Sequence, residues 1–276
     1  LTVAIVTDSA AALPPDLVRQ FGITVVPMWL SIGGEPVLEG ERPLQDLLAE
    51  EHVTTSAPTP GEWERAIKDG LERADGALVL TIASSMSATH QSALVAAEAV
   101  GGAVRVVDTA TAAGAEALVV LAAAEAARDG ATLDECEARA RVVIDRVRLV
   151  ATLPNLDHLV RGGRVPGIAG WAGRRLGINP LFEFRGGKVH RLRPALSAEA
   201  ASDRMLGLLR RSRVEGARLH VVALHALALE TAERLLQLAE EQFTAETAFV
   251  GEFGPVMVVH TGPGLTGLAW WWDTNP

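Results

Sequence analysis

The sequence predicts an α/β protein of two domains: an N-terminal three-layer α/β/α domain on a parallel sheet, residues 1–160, and a C-terminal α/β domain with a mixed sheet, residues 161–276. Three observations predict it. Short apolar runs alternate with longer helical ones through the first half, the pattern of a parallel sheet covered by helices on both faces. The second half contains two strand-like runs joined by Arg185-Gly186-Gly187, a hairpin signal that a purely parallel sheet lacks. The 276 residues are 49% hydrophobic, enough apolar material for two ordinary cores.

The elements follow in order. Val3 to Val6 is a short apolar strand that runs into Thr7-Asp8-Ser9. Pro14-Pro15-Asp16 opens a helix that Gly22 closes, because proline is tolerated in the first helical turn and glycine accepts the left-handed cap. Ile23 to Leu30 reads as one strand and Pro43 to Glu51 as a short helix. Thr54-Thr55-Ser56-Ala57-Pro58-Thr59 reads as a loop, and Pro60-Gly61-Glu62 opens a helix through Ala74. Ala77 to Ile82 is a strand, Thr89 to Val100 a helix and Val104 to Asp108 a strand. Two helices follow, Ala112 to Asp129 and Leu133 to Arg148. Beyond Asp157 the strand candidates are the hairpin Pro180–Leu192, Leu219 to Leu224, Thr247 to Val250, Val256 to His260 and Gly267 to Trp272. Helices are expected over Ser197–Arg211 and Ala228–Gln242. Ligands of parallel α/β sheets bind beyond the carboxyl ends of the strands, where Asp8-Ser9, Ser84 to Ser92 and Asp108-Thr109 fall.

Composition narrows the function. A net charge of −9 argues against a nucleic-acid binder, whose affinity comes from neutralising phosphates. Arginine is nevertheless dense between Arg161 and Arg193. A single cysteine, Cys136, rules out an intrachain disulfide and points to a reducing, cytoplasmic setting. It sits in a helical pattern with no histidine or glycine turn beside it, which reads as a structural thiol. No leader is visible, and no apolar run approaches the roughly 20 residues that cross a bilayer. Paired cysteines and His-x-x-x-His spacings are absent, so no metal site is expected. Gly262-Pro263-Gly264-Leu265-Thr266-Gly267 has dinucleotide-fold spacing but precedes a strand instead of opening a helix, and fails that test.

The richest segment is Ser84-Ser85-Met86-Ser87-Ala88-Thr89-His90-Gln91-Ser92, a polar turn between a strand and a helix. Hydroxyls and free backbone N–H groups at such a junction form an anion site. Five hydroxyls in nine residues exceed what a helix cap alone requires. Thr54 to Thr59 is either an ordinary polar loop or a second set of donors brought to the first. Neutral donors with few nearby cations suit one small anionic group such as a carboxylate better than a nucleotide triphosphate. Leu159-Val160-Arg161-Gly162-Gly163-Arg164 is a glycine-ended helix with solvated arginines, or a close backbone approach that aims Arg164 at an anion. Val258-Val259-His260-Thr261-Gly262 places a histidine where an apolar strand meets a glycine turn. A serine hydrolase or acyltransferase using Ser87 with His260, and Asp8 or Asp108 behind them, is the alternative, although no Gly-x-Ser-x-Gly elbow is present. A small-molecule sensor is a third reading.

Taken together and in this order, the segments resemble the DegV family of bacterial fatty-acid-binding proteins, over essentially the whole chain. The resemblance rests on Thr7-Asp8-Ser9, Thr55-Ser56-Ala57-Pro58-Thr59, Ser84 to Ala93, Val107-Asp108-Thr109, Arg161-Gly162-Gly163-Arg164-Val165 and His260-Thr261-Gly262-Pro263-Gly264. It implies a long-chain fatty acid, about C14–C18, held in an apolar tunnel between the two domains, with no other cofactor. It also implies that the chain is not itself an enzyme. It would act as the lipid-presenting subunit of a fatty acid kinase, a separate ATP-dependent partner that makes acyl phosphate for phospholipid synthesis. By the family pattern Thr55 and Ser87 hold the carboxylate. Ser56, Ser84, Ser85, Arg164 and His260 form the surrounding head-group network. Ala57, Ala88 and His90 depart from the usual glutamine, glycine and tyrosine of the family, which alters the surroundings of the carboxylate without removing a ligand.

Overall fold

Two extended sheets share one layer of helices. The computed structural model describes residues 2–50, 53–154, 156–163 and 179–275. Strands β1 (Val3–Asp8), β2 (Thr24–Val26), β6 (Gly76–Thr81) and β7 (Val104–Asp108) form a wholly parallel sheet in the order β2-β1-β6-β7. Strands β8 (Arg148–Thr152), β9 (Leu181–Arg185), β10 (Lys188–Arg191), β11 (Arg218–His225), β12 (Ala245–Glu252) and β13 (Thr266–Asp273) form the second sheet, ordered β10-β9-β8-β13-β11-β12. There only β11 and β12 run parallel, so the sheet is mixed.

Side-chain alternation explains the layering, because successive residues of a strand face opposite sides. In the first sheet Val6, Ala77 and Val79 pack with Trp63 and Ile67 of α3 (Pro60–Leu71) and with Ala93 and Ala96 of α4 (Thr89–Val100). Val3, Ile5, Leu78 and Leu80 face the other way, onto α5 (Ala113–Arg128) and α6 (Leu133–Arg146). Leu149, Val222, Leu224, Ala269 and Trp271 of the second sheet belong to the same core. Their neighbours Val150, Val221, Ala223, Leu268, Trp270 and Trp272 face α8 (Ala198–Arg211) and α9 (Leu229–Glu240). Helix α5 is therefore covered on both sides, and its alanines fit that place: a helix apolar all round is a buried helix. The fit is close at Gly114, where a Cβ would stand 2.7 Å from Val222 Cγ1.

A third, smaller sheet stands apart from these two. Strands β3 (Trp29–Ile32), β4 (Glu35–Leu38) and β5 (Val53–Ser56) are antiparallel in the order β4-β3-β5. Trp29 Nε1 donates to Glu62 of α3 at 2.7 Å and ties this sheet to the first. Three short helices lie near it: α2 (Leu44–Ala49), α7 (Asp157–Gly162) and α10 (Pro255–Thr261).

Four elements differ from the sequence expectation, besides β4, which it does not include. Ile23 to Leu30 is two strands in different sheets, broken at Pro27, which has no N–H for a ladder. Thr54 to Ser56 is not loop but β5, paired through Leu30↔Thr55, as its β-branched run Val53-Thr54-Thr55 permits. Val256 to His260 is helix α10, not strand: an apolar run of that length carries no period that separates the two. Strand β8, unforeseen, directly follows α6 and joins the second sheet, so the chain reaches that sheet before residue 160.

Candidate functional site

The hydroxyl-rich turn after β6 is held from three sides through its backbone. Asp8, at the end of β1, accepts the N–H of Ile82 at 2.9 Å. The carbonyl of Thr111 accepts the N–H of Ala83 at 2.8 Å. Asp108, at the end of β7, accepts the N–H of Ser84 with both oxygens at 3.2 Å. These carboxylates flank β6 because their strands flank it. Asp8 is fully buried, and burial raises its carboxyl from 3.8 to about 7 against the pull of two N–H donors, Ile82 and Ala10. Behind it Glu116 is buried as well, and its carboxyl is pushed well above the ordinary value by burial and by the nearby charge of Asp8.

The held backbone then bends tightly, with the N–H groups of Met86 and Ser87 both donating to the carbonyl of Ala83 at 2.9 and 3.3 Å. Ser87 Oγ lies 2.7 Å from Thr89 Oγ1 and accepts the Thr89 N–H at 3.3 Å. One turn into α4, Ser92 donates its hydroxyl to the carbonyl of Pro58 at 2.6 Å. That bond joins the two hydroxyl-rich segments that the sequence sets about thirty residues apart.

On the opposite side Thr55 projects from β5, and its Oγ1 lies 2.7 Å from Nε2 of His260 in the last turn of α10. Helix α7 packs close: a Cβ on Gly162 would stand 2.9 Å from His260 Nδ1, so glycine is needed for this approach. Thr55, Ser56, Ala57, Ser87, Ala88, His260 and Thr261 form one part of the wall of a cavity of about 340 Å³. Met28, Ile82, Met86, Leu159, Val256 and Met257 form the rest. Among the described residues of that wall His260 is the one titratable side chain. A second cavity of about 650 Å³ also has His260 in its wall, with Leu47, Leu48, Val53, Thr54, His158 and Arg161.

The fold thus brings Thr55, Ser56, Ser87 and His260 onto one cavity. Ser84 and Ser85 are exposed and do not line it; Ser85 instead donates to the carbonyl of Gly187 at 2.7 Å, in the β9–β10 turn. Arg164, together with Arg174 and Arg175 of the arginine-dense stretch, lies outside the described residues. The nucleophile pair of the hydrolase reading is not formed: His260 Nε2 meets Thr55, and the Ser87 hydroxyl meets Thr89. His260 is presented by a helix end, not by the expected strand end. Sequence reasoning missed the apolar wall. Met28, Met86 and Met257 come from three separate segments, and no local period relates them. Cys136 is buried on α6, where burial raises its thiol, in keeping with a structural part.

Among the described residues no group of three or more His, Cys, Asp or Glu side chains is placed to hold a metal ion. No helix among them is long and apolar enough to cross a membrane.

Comparison with known proteins places this geometry in context. The sequence model of the DegV family of uncharacterised proteins matches residues 2–272. A DegV domain-containing protein of Mycobacterium bovis is 34% identical over 276 residues, covering 97% of this chain and 96% of that one. A fatty-acid-binding DegV family protein of Thermus thermophilus superposes with a TM-score of 0.91 at 29% identity, over 99% of this chain and 100% of the other. A DegV lipid-binding protein of Thermotoga maritima superposes with a TM-score of 0.88 at 26% identity, over 99% of each chain.

Proposed function

This chain belongs to the DegV family, and from that premise we propose that it binds a long-chain fatty acid of about C14–C18 and presents the carboxylate to a separate ATP-dependent fatty acid kinase. One observation carries the reading. Neutral hydroxyls and one imidazole line a single cavity together with methionine and aliphatic side chains. An amphiphile with one small anionic head and an apolar tail matches that lining.

Energetics assign the two parts different work. Burying the tail of a sixteen-carbon acid is worth about 0.8 kcal/mol per methylene, on the order of 10 kcal/mol gross. Association and ordering of the chain remove much of it. The tail supplies affinity. A carboxylate buried without partners is costly, and the hydroxyls of Thr55 and Ser87 supply its hydrogen bonds. His260, bonded to Thr55, orients that hydroxyl. Hydroxyl donors leave the oxygens more available to attack a phosphoryl group than a bidentate guanidinium would. Arg164 belongs, on this reading, to the surroundings of the head group and not to its direct ligands. Catalysis resides in the partner, in a cytoplasmic setting.

Extraction of the purified protein under denaturing conditions, followed by lipid mass spectrometry, tests the binding step. A stoichiometric C14–C18 acid is the expected result; no lipid, and no uptake of added palmitate, would remove the proposal. Presentation is tested apart from binding: acyl phosphate should appear only when the loaded protein meets a fatty acid kinase and ATP. Ester hydrolysis by the protein alone, lost in Ser87→Ala, would favour the hydrolase instead.

A further inference from the structure

Helix α10 supplies Val256, Met257, His260 and Thr261 to the cavity wall, yet it has no cap of its own. Its N-cap residue, Gly254, has no side chain, and Pro255 behind it has no N–H, so Val256 carries a backbone donor that the helix cannot satisfy. The acceptor comes from 217 positions earlier in the chain: Oε1 of Glu39, just after β4, takes the Val256 N–H at 3.0 Å. A carboxylate in that place does what a local Asp or Ser cap does in other helices.

Both oxygens of Glu39 are used. Oε2 accepts the hydroxyl of Ser9, in the turn after β1. Ser9 Oγ in turn accepts the N–H of Met28 at 3.1 Å, and the carbonyl of Met28 accepts the N–H of Glu39 at 3.2 Å. Met28 lines the same cavity as the α10 residues. One side chain therefore joins the parallel sheet, the β2–β3 link and α10. A Cβ at position 254 would run into the Glu39 carboxylate and displace it. Four residues beyond Val256 on α10, His260 meets Thr55 at 2.7 Å.

We propose that Glu39 is a positioning residue, whose carboxylate sets the register of α10 against the three-stranded sheet and thereby holds His260 on Thr55. The consequence for lipid affinity rests on the fatty-acid reading above; the consequence for His260 does not. The geometry explains why a residue outside the cavity wall controls its polar end. A free α10 shifts Val256 and Met257 together with His260, because all three ride on two turns of one helix.

The experiment compares Glu39→Ala, Glu39→Gln and Gly254→Ala with wild type and with Thr55→Val. It uses imidazole NMR titration of His260 and palmitate binding by calorimetry, with circular dichroism confirming the fold. Glutamine keeps an acceptor for Val256 and a donor for Ser9, so Glu39→Gln should hold the wild-type His260 titration and palmitate affinity within about twofold. Glu39→Ala should move the His260 titration to that of Thr55→Val and weaken palmitate about tenfold. Gly254→Ala, which displaces the carboxylate without deleting it, should do the same, and decides the matter where Glu39→Ala fails to fold. A wild-type His260 titration in folded Glu39→Ala or Gly254→Ala overturns the proposal, as does a Glu39→Gln variant as impaired as the alanine. Failure of wild type to bind palmitate would overturn the lipid reading alone, because the His260 comparison still decides the role of Glu39.

Discussion

The two sides of the cavity are built in different ways. The Ser84–Ser92 side is local: strand, turn and helix follow each other in sequence, and the backbone is held by Asp8, Thr111 and Asp108 at the ends of adjacent strands. The Thr55–His260 side is assembled from residues 205 positions apart, an edge strand and a short helix whose cap comes from Glu39. The first resembles a rigid floor, with its backbone donors held by groups on adjacent strands and the loop after them. The second is a wall that depends on a few long-range hydrogen bonds. A damaged floor should lower the stability of the whole protein, whereas a damaged wall should change the site and spare the fold.

Asp8→Ala tests the floor most severely. It leaves the N–H groups of Ile82 and Ala10 without their acceptor in a fully buried place. Unpaired buried donors cost about 1–3 kcal/mol each, so urea unfolding should show a loss on the order of 3 kcal/mol. A loss under about 0.5 kcal/mol, the range of ordinary surface changes, would contradict the contrast.

The two site hydroxyls, one from each side, come next. Thr55→Val and Ser87→Ala each remove one hydroxyl from the proposed carboxylate site. Hydrogen bonds to charged groups are worth about 1.5–3 kcal/mol, so palmitate affinity should fall at least about tenfold in each. Unfolding free energy should change by less than about 1 kcal/mol in Thr55→Val and by about 1 kcal/mol in Ser87→Ala, which also removes the acceptor of the Thr89 N–H. Unchanged calorimetric affinity in both variants would place the head group elsewhere.

The smallest expected effect concerns pH. The Asp8 carboxyl is raised from 3.8 to about 7 and that of Glu116 is raised as well. The folded state therefore holds more protons than the unfolded state through this window. Their contribution to stability is full below about pH 4 and is lost as pH rises through about 7. Glu116→Gln can still accept from Thr7, its partner at 3.5 Å, while removing the charge. Its thermal midpoint should exceed that of wild type at pH 8 by about 3 °C, the shift that about 1 kcal/mol produces in a chain of this order of size. At pH 4 the two should coincide. A gain of equal size at both pH values would show that repacking, not ionisation, is responsible.

The same contrast governs what the sequence makes legible. Helix α4 and strand β7 are read to the residue, because apolar periodicity and the glycines that close helices are local signals. The Ser84–Ser92 turn is visible for the same reason. Local signals at α10 conflict: Val256-Met257-Val258-Val259 is as β-branched as a strand, although Pro255 and Gly262 mark a helix start and stop, and the acceptor of its first free N–H is Glu39 in another part of the chain. Nor does Thr55 declare itself as part of a strand, since β5 is an edge strand recognisable only when β3 pairs with it. Family resemblance supplied the association of Thr55, Ser87 and His260 that local pattern could not, and the fold sets all three on one cavity. The methionine wall was visible by neither route.

A crystal structure of the palmitate complex tests the central claim most directly. The account predicts the carboxylate within hydrogen-bond distance of Thr55 Oγ1 and Ser87 Oγ, with the tail along Met28, Met86 and Met257. A tail lying in the cavity beside His158 and Arg161, or a carboxylate held bidentately by a guanidinium away from both hydroxyls, would contradict it.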